Sequence, residues 1–567
     1  VSLAVLASAI LMGALSAQAL AHRRSCGGHP AVLRVAASPD IAPAITRVAT
    51  AFTRQRHQLD GRCISVIVMP LAPATAAADI DGQARGGGPV PVIDAWIPDS
   101  SIWLDVVRGY PLGAQRVQPT GISVARSPLM IVMPASVAAQ TPAFNATTGW
   151  SFLLPASIGG PAGSLHLRVD MPDPTTSAAG LSAMVEVSRL LGTGAAARAA
   201  LTKFVFSLEP TPQFDSPASL ASFVALAQPP LSGHPVTVTS EQAVIQYDQA
   251  TSGPPLAARY PAAMNDALGS PELDYPYLLA TSDPVMIQAA RQFGQALAQP
   301  YAARVVRYFG FRSANGVPDQ IPARDGLASQ PLQLASAVAP SEAQAVLQAW
   351  QKLGLGSRDL VLDDVSSAMA QPAGGTGLTL EQELSRTAAL GLALFPDNTE
   401  MGVWKYASNL AGGRPYQQMV PVGPLTAEIG LVSRRQLIQQ QTSVLQPVTD
   451  APAAMDDAIL AAYRHMLATY QQGFQNAVVV LTSGADNAPG DLPASALIAR
   501  LRTLYNPSRR VEIVIIVFGR SPDFATLQQI AGTTGGAAFE ITSPRQIGRV
   551  FFAAIARRIC PSNCPAP

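Results

Sequence analysis

At 567 residues the chain exceeds what a single hydrophobic core organises, so two or three domains are expected. Apolar residues make up 48% and charged residues 13%, and the formal net charge is +1. That balance suits globular domains and excludes the basic tracts with which proteins hold nucleic acid.

Residues 1–21 form an uncharged apolar stretch ending in Ala19-Leu20-Ala21. It reads either as a signal peptide cut near Ala21 or as an N-terminal membrane anchor just long enough to span a bilayer. Both readings put the remaining chain outside the cytoplasm, secreted or in the cell envelope. Four cysteines suit an oxidising compartment. Cys26 precedes the first strand of the next segment and Cys63 the second, so neighbouring strands predict a Cys26–Cys63 disulfide. Cys560 and Cys564, in the tail 560–567, are spaced to close a small terminal loop.

From Ala31 strands alternate with helices, the pattern of a parallel sheet. Ala31–Ala36 reads as a strand, followed by the polar break Ser38-Pro39-Asp40. Ile41, Ile45, Val48 and Phe52 then recur at helical spacing. Cys63–Met69 is the next strand, and a long Ala/Gly/Pro loop leads to Pro89–Trp96. The polar turn Pro98-Asp99-Ser100-Ser101 follows. No histidine stands in a nucleophile-elbow or metalloprotease context, so no catalytic residue is expected.

Ser127–Pro134 (SPLMIVMP), Asp173–Gly180 (DPTTSAAG), Thr239–Tyr247, Asp274–Leu279 and the closing Gly310-Phe311-Arg312 complete this pattern. Residues 22–312 so resemble an extracellular solute-binding protein of the two-lobed type II, periplasmic-binding-like kind. The resemblance implies a small ligand held between lobes by hydroxyls and N–H groups at helix starts, with Ser38, Ser101, Thr176 and Ser177 as candidates. The same residue types serve as ordinary N-caps and turns.

Residues 313–356 read as a Pro/Ala/Ser/Gln-rich linker and a capping helix, its start marked by a capping box between Ser341 and Gln344. From 357 to 559 strands and helices alternate again. Leu360, Val361 and Leu362 end in Asp363 and Asp364, as a buried parallel strand does when its tip opens into a polar loop. Leu380, Leu384, Ala388, Gly391 and Phe395 share one helix face; Met401–Tyr406 is a strand with Met419–Val422 as its antiparallel neighbour. Asn476–Ser483, Val511–Gly519 and Ala537–Ile541 are further strands.

These landmarks, with Leu394–Leu410 and the run IAGTTGGAAFEI, resemble the Rossmann-like von Willebrand factor type A family. The whole arrangement resembles actinobacterial envelope proteins that fuse the two modules. In the type A family a divalent cation sits on a D-x-S-x-S motif, a threonine and a strand-end aspartate. Here the motif is Asp364-Val365-Ser366-Ser367-Ala368. By position Asp364 and Ser366 match, whereas Ala368, Ala453 and Ser483 stand where a serine, a threonine and an aspartate belong. The resemblance therefore implies a degenerate metal-ion-dependent adhesion site that lacks the hard oxygens to hold Mg²⁺ tightly, and no cofactor is expected. Asp363, Asp450, Asp456 and Asp486, and Thr449 with a shifted loop, are the nearby groups available for rescue.

The expectation is a non-enzymatic extracytoplasmic binding protein that engages a protein or envelope partner through its type A domain. Its alternative is the solute receptor of an ABC-type importer. Membrane contact is expected only through an N-terminal anchor.

Overall fold

The computed structural model describes residues 26, 29–85, 91–110, 113–161, 167–211, 216–226, 233–250, 253–261, 271–318, 327–328, 332, 338–373, 377–410 and 412–560. The expected signal peptide or anchor, Cys564 and most of the expected linker lie outside them. Two compact units divide the chain: residues 1–192 with 206–347, and residues 193–205 with 348–567.

The first unit holds two mixed sheets among the described residues. In one, the central strand Ala31–Ala37 pairs in parallel with both Arg62–Pro70 and Ala95–Ile97. Leu33 and Val35 on that strand are fully buried. Helix Ala42–Arg54 buries Ile45, Val48 and Phe52, the stripe read from the sequence. Cys26 and Cys63 are disulfide-bonded as expected, with Cα atoms 5.2 Å apart; Cys560 is disulfide-bonded as well.

Two local expectations need correction. The Ala/Gly/Pro stretch taken as a loop contains a helix, Pro73–Arg85, with Ala76, Ala77 and Ile80 buried. Alanine is the strongest helix former, and Pro73 sits at the helix start, where its missing N–H is not needed. The helix at the end of this unit begins at Pro340, so Ser341 lies inside its first turn. The Glu342 carboxylate, not Ser341, accepts the Ala339 N–H at 3.0 Å.

The second sheet centres on Ala125–Pro134, antiparallel to His234–Ser240, which in turn runs parallel to Leu167–Pro172. The short strand Arg312–Ser313 adds to Ala125–Pro134. It carries a buried ion pair: Arg312 Nε and Nη2 donate to Glu241 Oε2 and Oε1, each at 2.7 Å, with both side chains about fully enclosed. Tyr260 donates its hydroxyl to the same carboxylate, and Arg312 Nη2 also reaches Ala328 O at 2.8 Å.

In the second unit, β1 (Gly356–Asp364), β2 (Glu400–Leu410), β3 (Arg414–Pro424), β4 (Phe474–Thr482), β5 (Val511–Phe518) and β6 (Ala537–Ile541) form one sheet among the described residues. Its order is β3-β2-β1-β4-β5-β6, parallel except for β3. This is the doubly wound order with its switch point at β1 and β4, and it gives the unit a von Willebrand type A-like fold.

The helices are α1 (Leu380–Leu392), α2 (Arg434–Ser443), α3 (Met455–Ala468), α4 (Ala494–Leu504), α5 (Phe524–Thr533) and α6 (Ile547–Ala556). Helices α3, α4 and α5 pack on Leu360, Leu362, Val478, Val480 and Ile515. The other sheet face carries Val361, Leu481, Val514 and Ile516, against Leu384 of α1 and Val550 of α6. Each fully buried aliphatic side chain contributes roughly 1.5–3 kcal/mol. Phe395, read as part of the first helix face, follows the end of α1 and packs from the connecting loop. Between Met401 and Val403 the β2–β3 register shifts, and Gly402 allows it: a Cβ there would lie 2.6 Å from Val422 N.

Truncating Arg312 strands Glu241 as an unpaired buried charge. Arg312→Ala is expected to destabilise the first unit by about 3–5 kcal/mol, and the apolar pair Arg312→Met with Glu241→Leu to recover most of that loss in urea denaturation.

Candidate functional site

The tip of β1 places Asp364 between β2 and β4, with Tyr406 as its register partner. Asp364 shares the sheet face of Leu360 and Leu362, so its carboxyl ends the apolar row beneath α3 and is 1% exposed. The chain's own donors surround it. Oδ1 accepts the Ser366 N–H at 2.9 Å. Oδ2 accepts Ser483 Oγ at 3.1 Å, Ser483 N at 3.2 Å and Thr482 Oγ1 at 3.3 Å. Burial raises the Asp364 pKa, and the hydrogen bonds from Ser366 and Ser483 oppose that rise. Burial, and then the Asp364 charge, raises the Tyr406 hydroxyl well above the usual phenol range.

The remaining positions of the expected cation site are placed as follows. Ser366 is buried, and its hydroxyl makes no hydrogen bond of good geometry. Ala368 lies on a short helical turn, Ser367–Ala370, and its side chain carries no oxygen. Ala453 is fully buried among Met455, Ala458 and Ile459 of the core. Ser483 stands at the strand-end position and donates to Asp364, where an aspartate would have been a second acceptor. N–H and O–H groups aimed at a carboxylate occupy the lone pairs that a hard cation needs. The donor set at the strand tips therefore does not match an octahedral shell.

The acids named for rescue do not converge on it. Asp363 follows the two-residue alternation of the strand onto the opposite face of the sheet. Thr449 and Asp450 are exposed, with Asp450 in a left-handed turn (φ 57°). Asp456 and Asp486 belong to a separate group with Asp457 and Asp491 at the start of α3. There Asp486 Oδ1 accepts Met455 N at 3.0 Å, and Asp491 Oδ1 accepts Asp457 N at 3.1 Å. Among the described residues, no group of three or more His, Cys, Asp or Glu is arranged to hold a metal ion. The sequence reading missed Thr482 and Asp491; the hydroxyl that ends an apolar strand was the available signal for the first.

In the first unit, Ser38 and Ser101 follow adjacent strands. Ser38 is buried, donates its N–H to Ile97 O at 2.9 Å and accepts from Ala42 N at 3.0 Å. Ser101 is exposed, and its N–H donates to Asp274 Oδ1 at 2.6 Å. Thr176 and Ser177 follow Leu167–Pro172 of the other sheet. Ser177 is buried and caps the helix Ala178–Leu191, its Oγ accepting Gly180 N at 3.2 Å; Thr176 is exposed and bonds back to Asp173 O. Asp40, at the start of helix Ala42–Arg54, accepts Ile41 N at 2.9 Å and the Tyr275 hydroxyl.

Residues 33–312 match the family model described as bacterial extracellular solute-binding protein. An uncharacterized protein of Mycobacterium tuberculosis strain H37Rv is 25% identical over 573 residues, which span 95% of this chain and 79% of that one. Solved structures similar to the chain include the sulfate-binding protein SubI of M. tuberculosis H37Rv, at 19% identity, 51% of this chain, 88% of that one and a TM-score of 0.34. A Trichodesmium FutA in complex with iron and citrate aligns at 11% identity over 57% of this chain and 99% of its own, with a TM-score of 0.39. A von Willebrand factor type A structure from Catenulispora acidiphila aligns at 13% identity over 36% of this chain and 43% of its own, with a TM-score of 0.28.

In the first unit the sequence candidates divide by chemistry. Ser177 is committed to its cap, and the Ser101 N–H to Asp274. Asp40 is the group that sequence reasoning passed over, because its partner Tyr275 lies 235 residues away. Burial raises its pKa, against the hydrogen bonds from Tyr275 and Ser38. A helix start attracts anions, and here a carboxylate of the chain already stands at it.

The acidic group of the second unit makes stability depend on pH. Burial, and next the Asp491 charge, pushes Asp456 from 3.8 up to about 7. Between those values the folded state keeps a proton that the unfolded chain has lost, so its stabilising effect is full below about pH 4 and is lost as pH rises through about 7. Asp456→Asn is expected to add about 2–4 kcal/mol above pH 7 and to flatten the slope across the acid range, read by urea denaturation at about pH 5 and pH 8.

Proposed function

We propose that the chain is a non-enzymatic extracytoplasmic binding protein whose type A-like domain engages a protein or envelope partner at its strand tips without a bridging cation. The observation that carries this reading is the saturation of Asp364 by Ser366, Thr482 and Ser483. A carboxylate held by four donors of its own chain is a structural cap on the strand end. The loops around it remain a rigidly supported surface, the usual place for binding in such sheets. The match of residues 33–312 to the extracellular solute-binding model supports an extracytoplasmic setting. Among the described residues, no helix is long and apolar enough to cross a membrane.

Melting of the purified chain with and without millimolar Mg²⁺ tests the cation claim. The wild type is expected to show no shift. The triple variant Ala368→Ser, Ala453→Thr and Ser483→Asp, which rebuilds the oxygen set, is expected to gain stability only with the ion. A Mg²⁺-dependent shift in the wild type overturns the reading.

The family match also favours a second reading, in which the solute-binding domain is the receptor of an ABC-type importer. With Asp40 at the helix start, its ligand is expected to be neutral or cationic. A thermal-shift panel of sugars, amino acids, polyamines and oxyanions checks this; the reading fails if no solute raises the melting temperature.

A further inference from the structure

The sheet face opposite α3 encloses a cavity of about 130 Å³ beneath α1, α2 and α6. The strand register builds its floor. Asp359, Val361 and Asp363 alternate onto this face of β1, and Val361 is flanked in register by Val403 and Val479, with Val514 beyond. From Asp359 to Asp363 the floor runs roughly 13 Å at the rise of a β-strand. Small residues in the roof create the space: Ala388 and Gly391 on α1, and Ala554 on α6. A Cβ added to Gly391 would meet only Ile547 Cγ1, at 3.4 Å, an ordinary contact. Protein interiors are normally filled to crystal density, and apolar cavities of this order accept apolar guests.

The two ends are polar. The inner end closes on Asp363, fully buried with neither carboxyl oxygen hydrogen-bonded. At the outer end stands Arg558, partly exposed, with Ser357 and Gln475 beside it. Its Nη1 donates to Leu355 O at 3.1 Å and its Nη2 to Ser357 Oγ. It makes no ion pair among the described residues; Asp359 and Glu512 act on it from a distance. Both acids are themselves raised by burial, Asp359 to about 7. A guanidinium without an ion pair, at the mouth of an apolar chamber, is matched to a carboxylate that brings its own alkyl chain.

We propose that this chamber binds a single-chain fatty carboxylate, its alkyl chain over Val361 and its head group on Arg558. Titration calorimetry and native mass spectrometry of the full, delipidated chain with hexanoate, hexanol and hexylamine test it, about six carbons being what a cavity of about 130 Å³ holds. A single hexanoate is expected to bind. Arg558→Gln is expected to weaken hexanoate about ten- to hundredfold while leaving hexanol unchanged. Ala554→Leu, which fills the roof, is expected to abolish binding of both with the melting temperature unchanged or raised; Ala388→Leu serves the same purpose should the first variant fold poorly. Absence of hexanoate binding, preference for hexylamine, or undiminished binding in a folded roof-filled variant overturns the proposal.

Discussion

The second unit depends on one constraint, the two-residue alternation of its central strand. In Asp359–Asp364 successive side chains must point to opposite faces, and both faces of a parallel sheet must be covered. Leu360 and Leu362 therefore meet α3 while Val361 meets the helices of the other side. The same alternation sends Asp364 to the strand-tip site and Asp363 into the apolar cavity. Two adjacent aspartates thus have unrelated chemistry. One is wrapped in N–H and O–H donors; the other has lost water and gained no partner.

That contrast extends to the buried charges of both units. Arg312 and Glu241 sit deep in the first unit, where two parallel hydrogen bonds, a tyrosine hydroxyl and a backbone carbonyl take up their polar atoms. Desolvation of each ion is costly, and geometry of this quality offsets it. In the second unit the buried acids Asp359, Asp363 and Asp456 have no guanidinium in contact among the described residues, and burial instead shifts them toward the neutral form. The two solutions predict different responses to solvent: the paired set acts as a structural rivet, and the unpaired set senses pH.

At the strand tips the buried carboxylate of Asp364 is held by hydrogen-bond donors of its own chain, and Ser483 is central among them. An aspartate at that position would add a second negative charge beside Asp364 and call for a cation; a serine supplies two donors and neutralises the need. Such a site can keep the loops rigid while leaving their outer surface free to vary. The acids grouped at the start of α3 form a separate set, in which Asp486 and Asp491 are engaged with the N–H groups of Met455 and Asp457.

Much of this was legible in the amino-acid order alone. Apolar runs ended by carboxylates located the strands of the second unit, a four-three-four stripe located helix Ala42–Arg54, and Cys26 and Cys63 could be paired from their positions before neighbouring strands. The alanines at 368 and 453 announced missing oxygens without any coordinates, because side-chain chemistry is a property of the residue itself. Other features were decided only by the tertiary fold. Whether Ser177 caps a helix or faces a ligand, whether Asp40 is free or bonded to Tyr275, and whether Arg558 finds a carboxylate all depend on groups distant in the chain. Local pattern reports periodicity and composition; it carries no record of which distant atom fills a given lone pair, or of the space left where small residues from separate helices meet over one sheet.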